Sequence, residues 1–148
     1  IIHRDLELDV LHLEGGGAAG GMGAGLYAFC GAKLRPGIEI VTDALHLADI
    51  VADADLVITG EGRIDSQTIH GKVPVGVARV AKRYNLPVIA IAGSLTADVG
   101  VVHEHGLDAV FSVIYSICTL DEALENAAEN VRMTARNVAA VLKMGQVL

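Results

Sequence analysis

The chain of 148 residues is 52% hydrophobic and 20% charged, enough apolar material for a packed core. A net charge of −7 with no clustered Lys/Arg stripe argues against a nucleic-acid partner, and no apolar run approaches the roughly 20 residues that cross a bilayer. With aromatics at 3% and no Trp, the core must be built from Val, Ile, Leu and Ala, a composition that suits α/β layers.

Cys30 and Cys118 lie far apart in apolar sequence, and buried free thiols in a reducing compartment are expected rather than a disulfide. No zinc-ligand spacing and no charged-then-apolar leader is present, so the expected setting is the cytoplasm. The chain opens Ile-Ile-His without an initiating Met, which reads as a piece of something longer.

In chain order, residues 5–13 (DLELDVLHL) alternate acidic and apolar at first and predict a short strand. GGGAAGGMGAG, residues 15–25, then runs into Leu26, Ala28, Phe29 and Cys30, a glycine-rich loop leading to a helix. Gly15, Gly17 and Gly20 satisfy G-x-G-x-x-G. That pattern has three readings: close packing of a helix on neighbouring backbone, a cradle for phosphate or carboxylate, or a dinucleotide loop, which also requires a preceding strand. Gly31 and Arg35-Pro36-Gly37 end the helix. The β-branched run Ile38, Ile40, Val41 reads as a strand, and Asp43 as the cap of a helix through Leu45, Leu47, Ala48 and Val51.

Strand and helix signals then alternate. Strands are expected at 56–59, Val88–Ala92 and Ala109–Val113, with helices at 74–84, near Ala97–His105 closed by Gly106, and from Leu120 onward. This β/α rhythm predicts a parallel sheet. In the last helix Leu120, Leu124, Ala127, Val131, Ala135, Val138 and Leu142 share one face, Thr119 and Glu122 form a capping box, and Glu125, Glu129, Arg132 and Arg136 make a solvated face.

The densest chemistry is DLVITGEGRIDSQTIHGK, Asp55–Lys72. After the apolar Leu56-Val57-Ile58, Glu61, Arg63, Asp65, Gln67, Thr68, His70 and Lys72 crowd what reads as a loop before Pro74 opens a helix. Parallel strands bring their carboxyl-end loops to one sheet edge, where open α/β folds bind ligands. Three such loops converge: Gly60–Lys72, Gly93-Ser94-Leu95-Thr96, and Tyr115-Ser116. Their glycines, hydroxyls and cations predict an anionic ligand. Arg63 and Lys72 suit phosphate or carboxylate, or pair with Glu61 or Asp65 on the surface. Glu61 and Asp65 suit a magnesium site or general base, with Asp65 alternatively a helix cap. His3, His12, His46, His103 and His105 lack ligand spacing.

The run ITGEGRIDSQTIHGKVPVGVA, with GGGAAGGMGAG upstream and LRPGIEIV between, resembles the class I glycerate kinases in block order and spacing over essentially the whole chain. One departure is Leu13-Glu14-Gly15-Gly16 ahead of Gly17, where the family usually has Pro-Gly; it adds a negative charge beside a would-be phosphate cradle.

The resemblance implies an ATP- and Mg2+-dependent phosphotransferase acting on glycerate in a cleft between two lobes, cytoplasmic, without nucleic-acid or membrane partners. It implies a three-layer Rossmann-like parallel sheet forming the C-terminal part of a bilobal kinase, preceded by part of a second α/β lobe. Residues 1–54 would finish an inserted lobe carrying the glycine-rich loop, and 55–148 would belong to the Rossmann-like lobe; the piece by itself is expected to be inactive. The exposed first third is expected to lean on a second copy or another partner.

Loop chemistry and resemblance together assign Asp65, Arg63 and Lys72 to catalysis, and Glu61 and Asp65 to the metal. Gly17, Gly20, Gly21, Gly60, Gly62 and Ser94 are assigned to nucleotide contacts. The competing reading is a nucleotide-sensing or dinucleotide-binding domain.

Overall fold

Short β-branched runs become one parallel sheet in the computed structural model, which describes residues 1–146; Val147 and Leu148, the end of the 55–148 lobe, lie outside the described residues. Strands β1 (Val57–Ile64), β2 (Val88–Leu95) and β3 (Ala109–Ser112) lie in the order β1-β2-β3. Val57 stands opposite Val88, and Ile89 opposite Ala109. Register partners in a parallel sheet share a face, and successive residues alternate. Val57, Val88, Ala90 and Ala92 therefore share one face. They join the buried core with Ala78 and Ala81, and with Leu86, Val102 and Leu107. Ala78 and Ala81 belong to helix α5 (Val73–Lys82), which carries Pro74 in its first turn as expected.

The other face of the sheet carries Ile89 and Phe111. Phe111 lines a cleft with Thr134, Asn137 and Val138 of helix α7 (Ala127–Gly145). Helix, sheet and helix make the expected three-layer α/β arrangement.

Two compact units divide the chain, Ile1–Val41 and Thr42–Leu148. In the first unit, residues 5–13 are not a strand: helix α1 (Ile2–Leu6) ends at Glu7 in the left-handed region, φ 54°, and turns follow. A lone alternating segment has no neighbouring edge to take its backbone groups, so local helical bonds such as Asp5 N–H to the Ile1 carbonyl satisfy them. The glycine-rich segment does lead into a helix, α2 (Ala18–Cys30), closed by a left-handed Gly31. The Ile38–Val41 run is also helical, within α3 (Gly37–Ala44), because the Pro36 carbonyl accepts from the N–H groups of Glu39 and Ile40 and starts a turn. Asp43 sits inside α3 and so is not the N-cap of helix α4 (Leu47–Val51); His46 holds that position at φ 51°.

Two further expectations change in the second unit. The segment before Gly106 is a 3-10 helix, Val99–His105, and Gly106 closes it as expected. The C-terminal helix breaks at Asn126 into α6 (Leu120–Glu125) and α7. The buried residues of α7 are Asn130, Thr134 and, from the expected stripe, Val138, while Leu120, Leu124, Val131 and Leu142 of that stripe are exposed, because no other described residues cover the surface they face. Glu129 and Arg132 pair on the solvated face. Cys30 and Cys118 are free thiols, but both are exposed, since the apolar sequence around each lies on uncovered surface. Among the described residues no helix is long and apolar enough to cross a membrane.

The Thr119 capping box forms as expected, with Glu122 N–H donating to Thr119 Oγ1 at 3.3 Å and Thr119 N–H to Glu122 Oε2 at 2.8 Å. Thr119→Ala should therefore lower unfolding free energy by about 1 kcal/mol, read as a shift of the urea midpoint at constant slope.

Candidate active site at the carboxyl edge of the sheet

β1 runs farther than its apolar start predicts: Gly60, Glu61, Gly62 and Arg63 remain in the strand, and Gly60, Glu61 and Arg63 pair with β2. Gly93 and Ser94 likewise extend β2. Two glycines explain how these polar ends stay paired. A Cβ on Gly60 would lie 2.5 Å from the Ile91 carbonyl oxygen, and one on Gly93 would lie 2.4 Å from that of Gly62. The close approach that glycine permits here is strand to strand, and it brings Ser94 opposite Arg63. Gly93→Ala is expected to cost about 1–3 kcal/mol through overpacking, visible as a lower thermal midpoint.

Where β1 ends, Asp65 turns the chain into a 3-10 helix, Ser66–Ile69. Its Oδ1 accepts from Gln67 N–H at 3.0 Å, and Thr68 Oγ1 accepts from Asp65 N–H at 3.1 Å. Thr68 is fully buried, which anchors the turn. Lys72 Nζ donates to Asp65 Oδ1 at 3.1 Å, and Arg63 Nε lies 3.6 Å from Oδ2. The Asp65 side chain is only 18% exposed, while Arg63 is well exposed. Asp65 is thus a helix cap and the centre of a cation–carboxylate–cation cluster at once.

The hydrogen bond from Lys72 holds the Asp65 carboxyl below its usual range; the Gln67 N–H and the charge of Arg63 act in the same direction, against partial desolvation. Asp98, which sequence reasoning missed, is also held low, by the hydroxyls of Ser66 and Thr96. The Thr96 N–H donates to the Ile64 carbonyl at 3.2 Å. Together these contacts tie the segment after β2 to the segment after β1. A bare Asp in an Ala-Asp-Val context carries no sequence signal for such a role.

Both carboxyls have folded pKa values below their unfolded ones, so each contributes stability that is full above the ordinary value of 3.8 and is lost as pH falls through the depressed folded value. The urea midpoint is expected to stay nearly flat from pH 8 to 5 and to fall below about pH 4, and Asp65→Asn should make that fall shallower.

Of the expected site residues, the structure joins Arg63, Asp65 and Lys72 directly and sets Ser94 beside Arg63. Glu61 and Arg63, two apart in β1, share a face. Glu61 Oε2 is buried and has no hydrogen-bond partner. Such an orphaned acceptor suits a hard cation or a ligand proton, whereas both Asp65 oxygens already face cations. Among the described residues no three His, Cys, Asp or Glu side chains converge as a metal cluster. His70 is exposed and follows the 3-10 helix.

Gly17, Gly20 and Gly21 belong to the first unit. Ala19, Gly20 and Gly21 are left-handed at φ 51°, 70° and 96°, so the start of α2 is a loop in shape, and the space a Cβ would fill at Gly17, Gly20 and Gly21 is open. No strand precedes this loop among the described residues, so the βαβ context of a dinucleotide loop is missing.

The glycerate kinase family model matches residues 1–143. The chain is 63% identical over 145 residues to glycerate 2-kinase of Escherichia coli K12, covering 98% of this chain and 38% of that protein. It is 53% identical over 135 residues to a glycerate kinase of Bacillus subtilis 168, covering 91% and 35% respectively. A solved structure from Salmonella typhimurium LT2, assigned as a glycerate kinase 2, is 78% identical with a TM-score of 0.74, over 99% of this chain and 37% of that one. The chain thus spans little more than a third of the relatives it matches. A parallel α/β unit with a polar, cation-bearing carboxyl edge, matched along nearly its full length, belongs to the glycerate kinase family.

Proposed function

We propose that this chain supplies part of an enzyme that moves the terminal phosphate of ATP onto glycerate, and that the Arg63–Asp65–Lys72 cluster lies in its catalytic cleft. The observation that carries the reading is that cluster: an ionised carboxylate flanked by two cations at the carboxyl edge of a parallel sheet. Phosphoryl transfer asks chiefly for in-line positioning and for positive charge on the phosphoryl oxygens.

Arg63, exposed and forked, binds the phosphoryl group or the substrate carboxylate; Lys72 supplies a point charge beside it. Asp65 accepts the hydrogen bond of the attacking glycerate hydroxyl and takes its proton as the oxygen–phosphorus bond forms and the bond to the bridging oxygen of ATP breaks. Its depressed pKa keeps it ionised at neutral pH, ready to orient that hydroxyl. Glu61, with its unpartnered oxygen, fits a magnesium ion better than Asp65 does. When bound, magnesium neutralises phosphate charge. Backbone N–H groups at Gly60, Gly62 and Ser94, and at Gly17, Gly20 and Gly21, are proposed to contact the nucleotide.

In this reading residues 1–54 complete an inserted lobe and 55–148 belong to the Rossmann-like lobe of a cytoplasmic enzyme. Exposed Leu11, Met22 and Phe29 support a first third that seeks a partner surface, in the rest of that lobe or in a second copy.

The competing reading, a dinucleotide-binding or nucleotide-sensing domain, uses the same glycines without needing Asp65 beside two cations. Calorimetric titration of a full-length chain, made by placing this sequence in the matched stretch of the E. coli protein, separates them. MgATP should bind and NAD should not; NAD binding without ATP binding would overturn the proposal.

A further inference from the structure

Asp98 stands where an aspartate ordinarily serves its own helix. It holds the N-cap position of the 3-10 helix Val99–His105, yet its side chain makes no capping hydrogen bond there. The carboxylate is spent on another element instead. It accepts from the Thr96 hydroxyl within its own segment, and from both the hydroxyl and the backbone N–H of Ser66.

Ser66 opens the 3-10 helix that follows Asp65. The first N–H groups of a helix have no partner inside it and must find one elsewhere. Gln67 N–H finds Asp65 Oδ1 at 3.0 Å, and Asp65 N–H in turn finds Thr68 Oγ1 at 3.1 Å. Those bonds are local: they shape the turn without fixing where it sits. The bonds from Ser66 to Asp98 reach a different segment, and they begin one residue from the carboxylate on which the site depends. Their anchor is firm. Thr96 N–H donates to the Ile64 carbonyl at 3.2 Å, which carries the pairing of the two chains past the last register pair of β1 and β2, Ile64 with Leu95. Val99 N–H donates to the Thr96 carbonyl at 3.1 Å, and the fully buried Val102 ties the helix after Asp98 to the core.

Asp98 itself is exposed. Hydrogen bonds to an exposed carboxylate add little to stability, because water takes their place when they are lost. Orientation follows a different rule. With water in place of Asp98 the turn keeps its own cap but can rock, and the Asp65 carboxylate moves with it relative to Arg63 in β1 and Lys72 at the start of α5. A misplacement of about 1 Å is enough to slow a reaction by orders of magnitude.

We infer that Asp98 is a positioning residue for the Asp65 carboxylate: by holding Ser66 it fixes the turn that presents Asp65 between Arg63 and Lys72. The inference rests on the reading of that cluster as the site of phosphoryl transfer, and it adds a residue that acts through Ser66 rather than on the substrate.

The test uses the full-length chimera with the E. coli protein. Asp98→Ala should lower kcat about tenfold while KM for MgATP and for glycerate stays within about twofold of the parent, with the thermal midpoint nearly unchanged. Asp98→Asn keeps an acceptor oxygen for Ser66 and should recover most of the loss; Ser66→Ala, which removes the hydroxyl and keeps the N–H, should reproduce part of it. In an Asp65→Asn background Asp98→Ala should cost almost nothing further, since residues that act through one another are not additive. Amide exchange mapped by peptide needs no turnover: Asp98→Ala should speed exchange across Ser66–Ile69 and leave β1 and α5 as in the parent. An unchanged kcat per folded molecule, an equal loss in the Asp65→Asn background, or unchanged exchange across the turn would each overturn the inference. A parent chimera that folds and transfers no phosphate counts against the phosphoryl-transfer reading instead; exchange then decides whether Asp98 holds the turn, faster exchange supporting it and unchanged exchange refuting it. If the chimera does not fold, the same measurements on the intact E. coli protein, with the residue matched to Asp98 changed to Ala, carry the same outcomes.

Discussion

Asn in place of Asp65, in the full-length chimera, is expected to lower turnover with ATP and glycerate on the order of 10²-fold or more while the fold is retained. Asn accepts the Gln67 N–H as well as Asp does, so the cap of the 3-10 helix at Ser66 survives. What disappears is the negative charge between Lys72 and Arg63 and the capacity to take a proton. Asp65→Ala separates the two roles, since it removes the cap as well. If Asn were nearly as active as the parent and only Ala impaired, Asp65 would be a cap and nothing more. Far-ultraviolet circular dichroism and the thermal midpoint, measured beside the turnover, distinguish a lost function from a lost fold.

Truncating Ile64 to Ala should cost about 2–5 kcal/mol of stability. Ile64 is fully buried and closes β1 immediately before Asp65, and its carbonyl accepts from Thr96 N–H. A cavity there withdraws packing from the core that includes Leu107 and Val102 and loosens the segment that aims the Asp65 carboxylate. The urea midpoint should fall accordingly. In the chimera kcat should fall further than the folded fraction explains, because positioning is lost along with stability. Ile64→Val, which keeps most of the volume, should cost about 0.5–1.5 kcal/mol and restore turnover.

The parts of the fold that were legible are those set by local rules and strong periodicity. Alternating Val/Ile-rich runs and helical segments announce a parallel sheet; Pro74 starts α5, Gly31 and Gly106 end their helices, and Thr119 with Glu122 caps α6. Failures arose where tertiary context decides. Ile38 and Val41 are β-branched, yet the turn begun by Pro36 carries them into α3. Gly60-Glu61-Gly62-Arg63 reads as a loop by composition and is strand by pairing, because β2 supplies partners in Ile91, Ala92 and Ser94. The apolar stripe of α6 and α7 was visible, but its exposure was not, since Leu120, Leu124 and Val131 face surface that no other described residues cover.

At the site, the crowding of Arg63, Asp65 and Lys72 was legible because so many polar groups exceed what a turn needs. Their mutual distances were not, because Gln67 and Thr68 set the turn that brings Lys72 back to Asp65. Asp98 escaped notice because its partners, Ser66 and Thr96, are distant from each other in sequence and meet only through the β1–β2 pairing.

The most direct measurement is product formation by the full-length chimera supplied with ATP, magnesium and glycerate. The account predicts glycerate-dependent release of ADP in equal amount with a phosphoglycerate, and loss of both on Asp65→Asn. A folded chimera that binds MgATP but forms no phosphoglycerate, or one whose Asp65→Asn variant forms it at the parental rate, would contradict it.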